Sequence, residues 1–129
     1  MLHILLVGVR PDRMRSFVKA LTSDPEVCFE QVTSGAEALG TVRAKCPHLV
    51  IIDSEVPDVD SLELVRRMIC INAMVNTAVV SSLSDADFHD KSEGLGILCR
   101  LPPDPSADDS AALLRKLRSV LGIGEAVFE

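Results

Sequence analysis

Four consecutive apolar residues, Leu49, Val50, Ile51 and Ile52, run directly into an aspartate, Asp53. The run is short and dominated by β-branched side chains, so it reads as a strand buried on both faces. A strand with no solvent face needs a sheet covered by helices on either side, which points away from simple sandwiches and bundles. The pattern also fixes Asp53 at the carboxyl end of that strand. Pro57 and the acids Glu55, Asp58 and Asp60 follow as a polar loop before the next apolar helix. In open parallel sheets, ligands and chemistry gather beyond the carboxyl ends of the strands, so Asp53 is the residue to explain.

The flanking sequence supplies the rest of such a sheet. Leu2 to Val7 reads as a first strand. Met14, Phe17, Val18 and Leu21 recur at helical spacing and predict an amphipathic helix over Pro11–Thr22, with Pro11 in its first turn. Val27 to Val32 is a second strand. Ser34 and Glu37 have the spacing of a capping box and open a helix through Ala44, with Leu39 and Val42 turned inward. After the acidic loop, Leu62, Val65, Met68 and Ile69 mark a helix capped by Asp60 or Ser61. Thr77 to Ser82 is a fourth strand, Asp85 to Glu93 a short polar helix, and Ile97 to Leu101 a fifth strand stopped by Pro102 and Pro103. Ser106 with Asp109 opens the last helix, where Leu113, Leu114, Leu117, Val120 and Leu121 give the strongest helical period.

Five strands alternating with five helices predict βαβ units with right-handed crossovers: an α/β domain over 1–121 with a short tail, 122–129. At 129 residues the chain suits one domain with a real core. A net charge of −6 argues against general nucleic-acid affinity. No apolar run reaches membrane-spanning length, and the start lacks the basic flank of a signal peptide, so a cytoplasmic protein is expected. Cys28, Cys46, Cys70 and Cys99 form no C-x-x-C pair. They are expected as free, buried structural thiols, and Cys46 with His48 lacks the second pair a metal site needs.

At this point the sequence resembles the receiver domain of bacterial two-component response regulators over about residues 3–121. The most specific piece is PHLVIIDSEVPDVDSLELVRRM, residues 47–68, which is similar to the family's phosphoacceptor strand, Pro-containing loop and third helix. The resemblance implies a flavodoxin-like doubly wound (βα)5 fold with a five-stranded parallel sheet in the order 2-1-3-4-5. It implies Asp53 as phosphoacceptor and Ser82 as the hydroxyl beside the phosphoryl group. It implies Mg²⁺ as cofactor, and a cis peptide at Leu101–Pro102, where the family has Lys-Pro. The family's metal-holding acidic pair falls on Gly8 and Val9, and its lysine on Leu101, so these three positions are degenerate. That leaves Asp53 and, through its backbone carbonyl or side chain, Glu55 as metal ligands. Arg10 is either a cation beside Asp53 or a surface charge. Strand alternation points Arg100 and Leu101 in opposite directions.

The reading that follows is a stand-alone, non-enzymatic receiver in a phosphorelay. It accepts phosphate on Asp53 from a sensor histidine kinase and acts through a downstream signalling protein, with a homodimer through the last helix and fifth strand also open. The alternative is a pseudo-receiver that binds partners without phosphorylation. A small flavodoxin-like enzyme or nucleotide binder ranks third, because no Gly-rich phosphate loop and no nucleophile–base constellation is readable.

Overall fold

The computed structural model describes residues 2–9 and 11–122. Strands β1 (Leu2–Val7), β2 (Val27–Val32), β3 (Leu49–Ile52), β4 (Asn76–Val80) and β5 (Cys99–Leu101) form one parallel sheet in the order β2-β1-β3-β4-β5. The connecting helices are α1 (Arg15–Thr22), α2 (Gly35–Lys45), α3 (Ser61–Ile71) and α4 (Asp85–Ser92), and α5 (Ala107–Leu121) closes the fold. The parallel sheet is what the alternating pattern predicts, and its order is the flavodoxin-like one that the resemblance implies.

The sheet divides the core in two. Leu2, Ile4, Leu6, Leu49, Ile51, Ala78, Val80 and Leu101 meet Phe17 and Leu21 of α1 and Leu113, Leu114 and Leu117 of α5. On the other face, Leu5, Val7, Val50, Ile52 and Val79 meet Ala38 and Val42 of α2, Leu64, Val65 and Met68 of α3, and Phe88 of α4. All four residues of β3 are 0% exposed. Each fully buried aliphatic side chain contributes about 1.5–3 kcal/mol, so this strand is heavily stabilised for its length.

Polar contacts set the remaining geometry. The Arg118 guanidinium in α5 donates to Asp24 at 2.7 Å and to Glu26 at 3.1 Å, tying the last helix to the connection between α1 and β2. It holds the Asp24 carboxyl below its usual range, mainly through that hydrogen bond. Before β3, the His3 N–H donates to His48 Nδ1 at 2.9 Å, and the two imidazoles stack with centroids 5.6 Å apart. Burial, together with the neighbouring charge of His3, pushes the His48 imidazole below its ordinary pKa.

The structure corrects several expectations. The first turn of the helix expected from Pro11 is wound as a 3-10 segment, Pro11–Met14, a common form at helix ends. β4 stops at Val80, before the serines. β5 begins only at Cys99, because Gly96, at φ 63, is still turning the chain. Val120 is 57% exposed, whereas Leu64, absent from the predicted face of α3, is wholly buried. The cysteines are free, but Cys28, Cys46 and Cys70 are exposed and only Cys99 is partly buried, so they are not core residues.

Leu117→Ala should lower stability by about 2–5 kcal/mol, as a truncation at a closed site does. Val120→Ala, three residues on, should change it by less than about 0.5 kcal/mol. Urea midpoints read both, and equal shifts would overturn the assigned face of α5. His48 supplies the second prediction. Its folded pKa lies below the unfolded value near 6.5, so its contribution to stability is complete above that value and is lost as pH falls through the folded pKa. Between pH 7.5 and 5, His48→Gln should therefore flatten the fall in urea midpoint seen in the parent protein.

Candidate functional site

Asp53 stands one residue past β3. Its N–H donates to the Val7 carbonyl at 2.9 Å, extending the β1–β3 pairing. The side chain is 1% exposed, which is rare for a carboxylate. Ser54 meets it with two donors: its N–H lies 2.7 Å and its hydroxyl 3.4 Å from Asp53 Oδ1. Glu55 is exposed in the loop that follows.

Gly8 lies across from Asp53 at the end of β1. A Cβ at Gly8 would stand 2.7 Å from Asp53 Cβ and 3.1 Å from Oδ2, closer than packed carbon atoms tolerate. Residue 8 is glycine where the Asp53 side chain fills the space that a residue-8 side chain would need. Val9 points the other way and is 45% exposed. Arg10, expected either beside Asp53 or at the surface, lies outside the described residues.

Leu101 and Arg100 part to opposite faces, as strand alternation requires. Leu101 is 2% exposed, packed in the layer of α1 and α5. Arg100 turns toward α4. It donates to the Ser81 carbonyl at 3.0 Å and to Asp85, with Nε and Nη2 lying 3.0 and 2.8 Å from Oδ1. Arg100 thus braces the connection between β4 and α4. The Leu101–Pro102 peptide is trans, against the expectation of a cis bond. Trans is the intrinsically favoured form of such bonds, by about 0.5–1 kcal/mol.

The Mg²⁺ that the resemblance implies binds in a nearly octahedral set of oxygen ligands. Gly8 and Val9 bring no side-chain oxygen. Among the described residues, no three His, Cys, Asp or Glu side chains gather where they could hold a metal. With Asp53 buried and Glu55 exposed, the described donors do not fit the ion.

The loop after Asp53 is tied down by its own acids. The Asp58 carboxylate accepts the Gly35 and Ala36 N–H groups at 2.7 and 3.1 Å, capping α2 from another part of the chain. Those bonds hold it below the usual carboxylate range. Asp60 accepts the Leu62 and Glu63 N–H groups and caps α3.

Beyond the ends of β3 and β4, a cleft of about 340 Å³ opens between α3 and α4. Ser54, Ser61, Ser81, Ser82, Phe88 and Lys91 are among its lining residues. Ser82 was expected there. Ser81 is the first residue past the strand; it is partly buried, and its hydroxyl accepts the Leu83 N–H at 3.2 Å. Sequence reasoning gave Lys91 no role. Its signal is spacing: it follows Phe88, the buried side chain of α4, by three residues and so shares its side of the helix.

No family model matches the chain. Its sequence is similar to sporulation initiation phosphotransferase F of Bacillus subtilis, 26% identical over 86 residues, covering 67% of this chain and 69% of that protein. It is also 31% identical over 125 residues to protein-glutamate methylesterase/protein-glutamine glutaminase 4 of Myxococcus xanthus. That match takes in 93% of this chain but 35% of the methylesterase, so the chain spans about a third of that relative. In fold it is similar to a response regulator receiver domain protein from Clostridium thermocellum, with a TM-score of 0.76, 19% identity and coverage of 95% of this chain and 100% of that one. The response regulator domain of Thermotoga maritima CheB aligns with a TM-score of 0.75 at 18% identity, covering 96% and 98% of the two chains.

Gly8→Ala should force the Asp53 side chain to move and cost about 1–3 kcal/mol, as overpacking does. Val9→Ala should stay within about 0.5 kcal/mol. Urea midpoints and the Asp53 backbone amide shift check both, and a neutral Gly8→Ala would mean that Asp53 does not occupy this space.

Proposed function

The chain belongs with the receiver domains of two-component response regulators, and from that premise we propose that it acts as a protein-docking module whose signal does not run through a Mg²⁺-assisted phosphoryl group on Asp53. One observation carries this reading: Asp53 is 1% exposed and occupies the space that a side chain at residue 8 would need. An incoming phosphoryl group needs an accessible carboxylate and cations to neutralise its oxygens. The degenerate positions Gly8, Val9 and Leu101 support the same conclusion, since none supplies a charge. The partner is a sensor histidine kinase or a downstream signalling protein of the pathway. The second reading is a phosphorelay receiver with Asp53 as phosphoacceptor, and the serine-lined cleft beside Ser54 favours it.

Intact-mass measurement after incubation with a small-molecule phosphodonor, with and without Mg²⁺, separates the two. The docking reading expects no phosphoryl adduct under either condition. A Mg²⁺-dependent adduct on the parent protein that is lost in Asp53→Asn would overturn it and establish the phosphorelay reading.

A further inference from the structure

Cys28, His3 and His48 stand in one row across the amino ends of the strands, at the end of the sheet away from Asp53. The register pairs His3 of β1 with Cys28 of β2, and the His48 N–H donates to the His3 carbonyl at 2.9 Å. Paired residues of parallel strands point to the same face. Leu5, two residues past His3, and Val50, two past His48, pack in the layer of α2 and α3, so the three side chains stand on that face. His48 spends Nδ1 on the His3 N–H at 2.9 Å, and its ring stacks on that of His3, which limits how the His3 ring turns. His48 stands a strand further from Cys28 than His3 does, and the three make no three-ligand set.

The pair that remains is Cys28 with His3. Both are exposed, and Cys28 is a free thiol. Among the described residues no hydrogen bond engages the Cys28 thiol or the His3 ring nitrogens. Both line one cavity of about 390 Å³ beside α2. Lys45 lines it too and opposes a cation, but Glu30, two residues along from Cys28 on the same face, pairs with Lys45 at 3.0 Å and offsets that charge. Neighbouring strands lie about 4.7–4.9 Å apart. A sulfur and a nitrogen on opposite sides of one ion lie about 4.3 Å apart at zinc-like bond lengths. The register therefore sets the two side chains at the span that a single ion bridges. Zinc itself takes four ligands. Two donors, one of them a thiolate, suit monovalent copper, a soft ion that accepts linear two-coordination.

We propose that Cys28 and His3 bind one Cu(I) ion, the Cys28 thiol giving up its proton to solvent as the copper–sulfur bond forms. The site lies at the far end of the sheet from Asp53 and goes beyond the docking reading, on which it does not depend.

The test is anaerobic titration of the full chain against Cu(I) held by a colorimetric chelator, with the His3 ring followed by NMR. One equivalent of Cu(I) should leave the chelator, and the His3 ring resonances should shift with it. Cys28→Ser and His3→Gln should each weaken binding at least about tenfold, since the loss of a ligand costs no less than the loss of a residue that supports one. Both positions are exposed, so both variants should keep the urea midpoint of the parent protein. Cys70→Ser removes an exposed thiol from α3 and should leave the affinity unchanged. No transfer of copper, or an affinity that survives either Cys28→Ser or His3→Gln, would overturn the proposal. Binding that weakens in Cys46→Ser or Cys70→Ser as much as in Cys28→Ser would overturn it as well, because the ion would then be held by exposed thiols at large.

Discussion

β3 has no face that water reaches, and the rest of the molecule is arranged to keep it so. Leu49 and Ile51 face the layer of α1 and α5; Val50 and Ile52 face α2, α3 and α4. A strand buried on both sides has neighbours on both edges as well, and β1 and β4 fill those places in parallel register. Parallel neighbours require crossovers, and the crossovers are the helices that cover the faces. The same pairing carries the chain one residue further, where the Asp53 N–H reaches the Val7 carbonyl. The site is therefore a by-product of the core: Asp53 is where it is because β3 is where it is.

Strand parity then decides what surrounds Asp53. Alternation sends Leu101 into the core and Arg100 out toward α4, so neither residue supplies a cation in the place the receiver family uses for its lysine. The Arg100 charge is already committed to Asp85 and to the Ser81 carbonyl. At the end of β1, the glycine and the buried carboxylate fit each other, and Val9 turns to solvent. One-residue geometry of this kind explains how a chain keeps the receiver fold and its aspartate while the described surroundings no longer suit a divalent metal.

The elements were legible because their patterns are strong. The unbroken apolar run of β3, the leucines of α5 and the capping box of Ser106 with Asp109 are found as predicted, while at α2 Ser34 caps the helix and the Glu37 carboxylate reaches one residue further back, to the Thr33 N–H. What was not legible depends on contacts across the fold. Nothing in the local sequence says that Asp58 caps α2, whose first N–H groups lie 23 and 22 residues upstream. Val120 fits the helical period but stands off the stripe that Leu113, Leu117 and Leu121 carry to the core at intervals of four. The exposed cysteines show the limit of residue-type averages, since a thiol is usually buried but Cys46 sits at a left-handed helix end, at φ 48. In the site, the sequence pointed to Asp53 and Ser82 but could not reveal that Gly8 yields its side-chain volume to Asp53. Nor could it place Lys91 on the cleft, because that needs the packing angle of α4.

The mouth of the sheet is braced at each connection. Asp58 holds the loop after β3 to α2, Asp60 and Ser84 cap α3 and α4, and Arg100 ties α4 to both β5 and the turn after β4. Each brace uses a side chain to satisfy backbone groups or a neighbouring charge that would otherwise depend on water. A switch that moved the β4–α4 connection would have to part Arg100 from Asp85 and from the Ser81 carbonyl together, leaving a guanidinium three-quarters buried without its acceptors. The Arg100 side chain is only 26% exposed, so water could not fully replace them. A rigid mouth suits a surface that partners recognise as it stands.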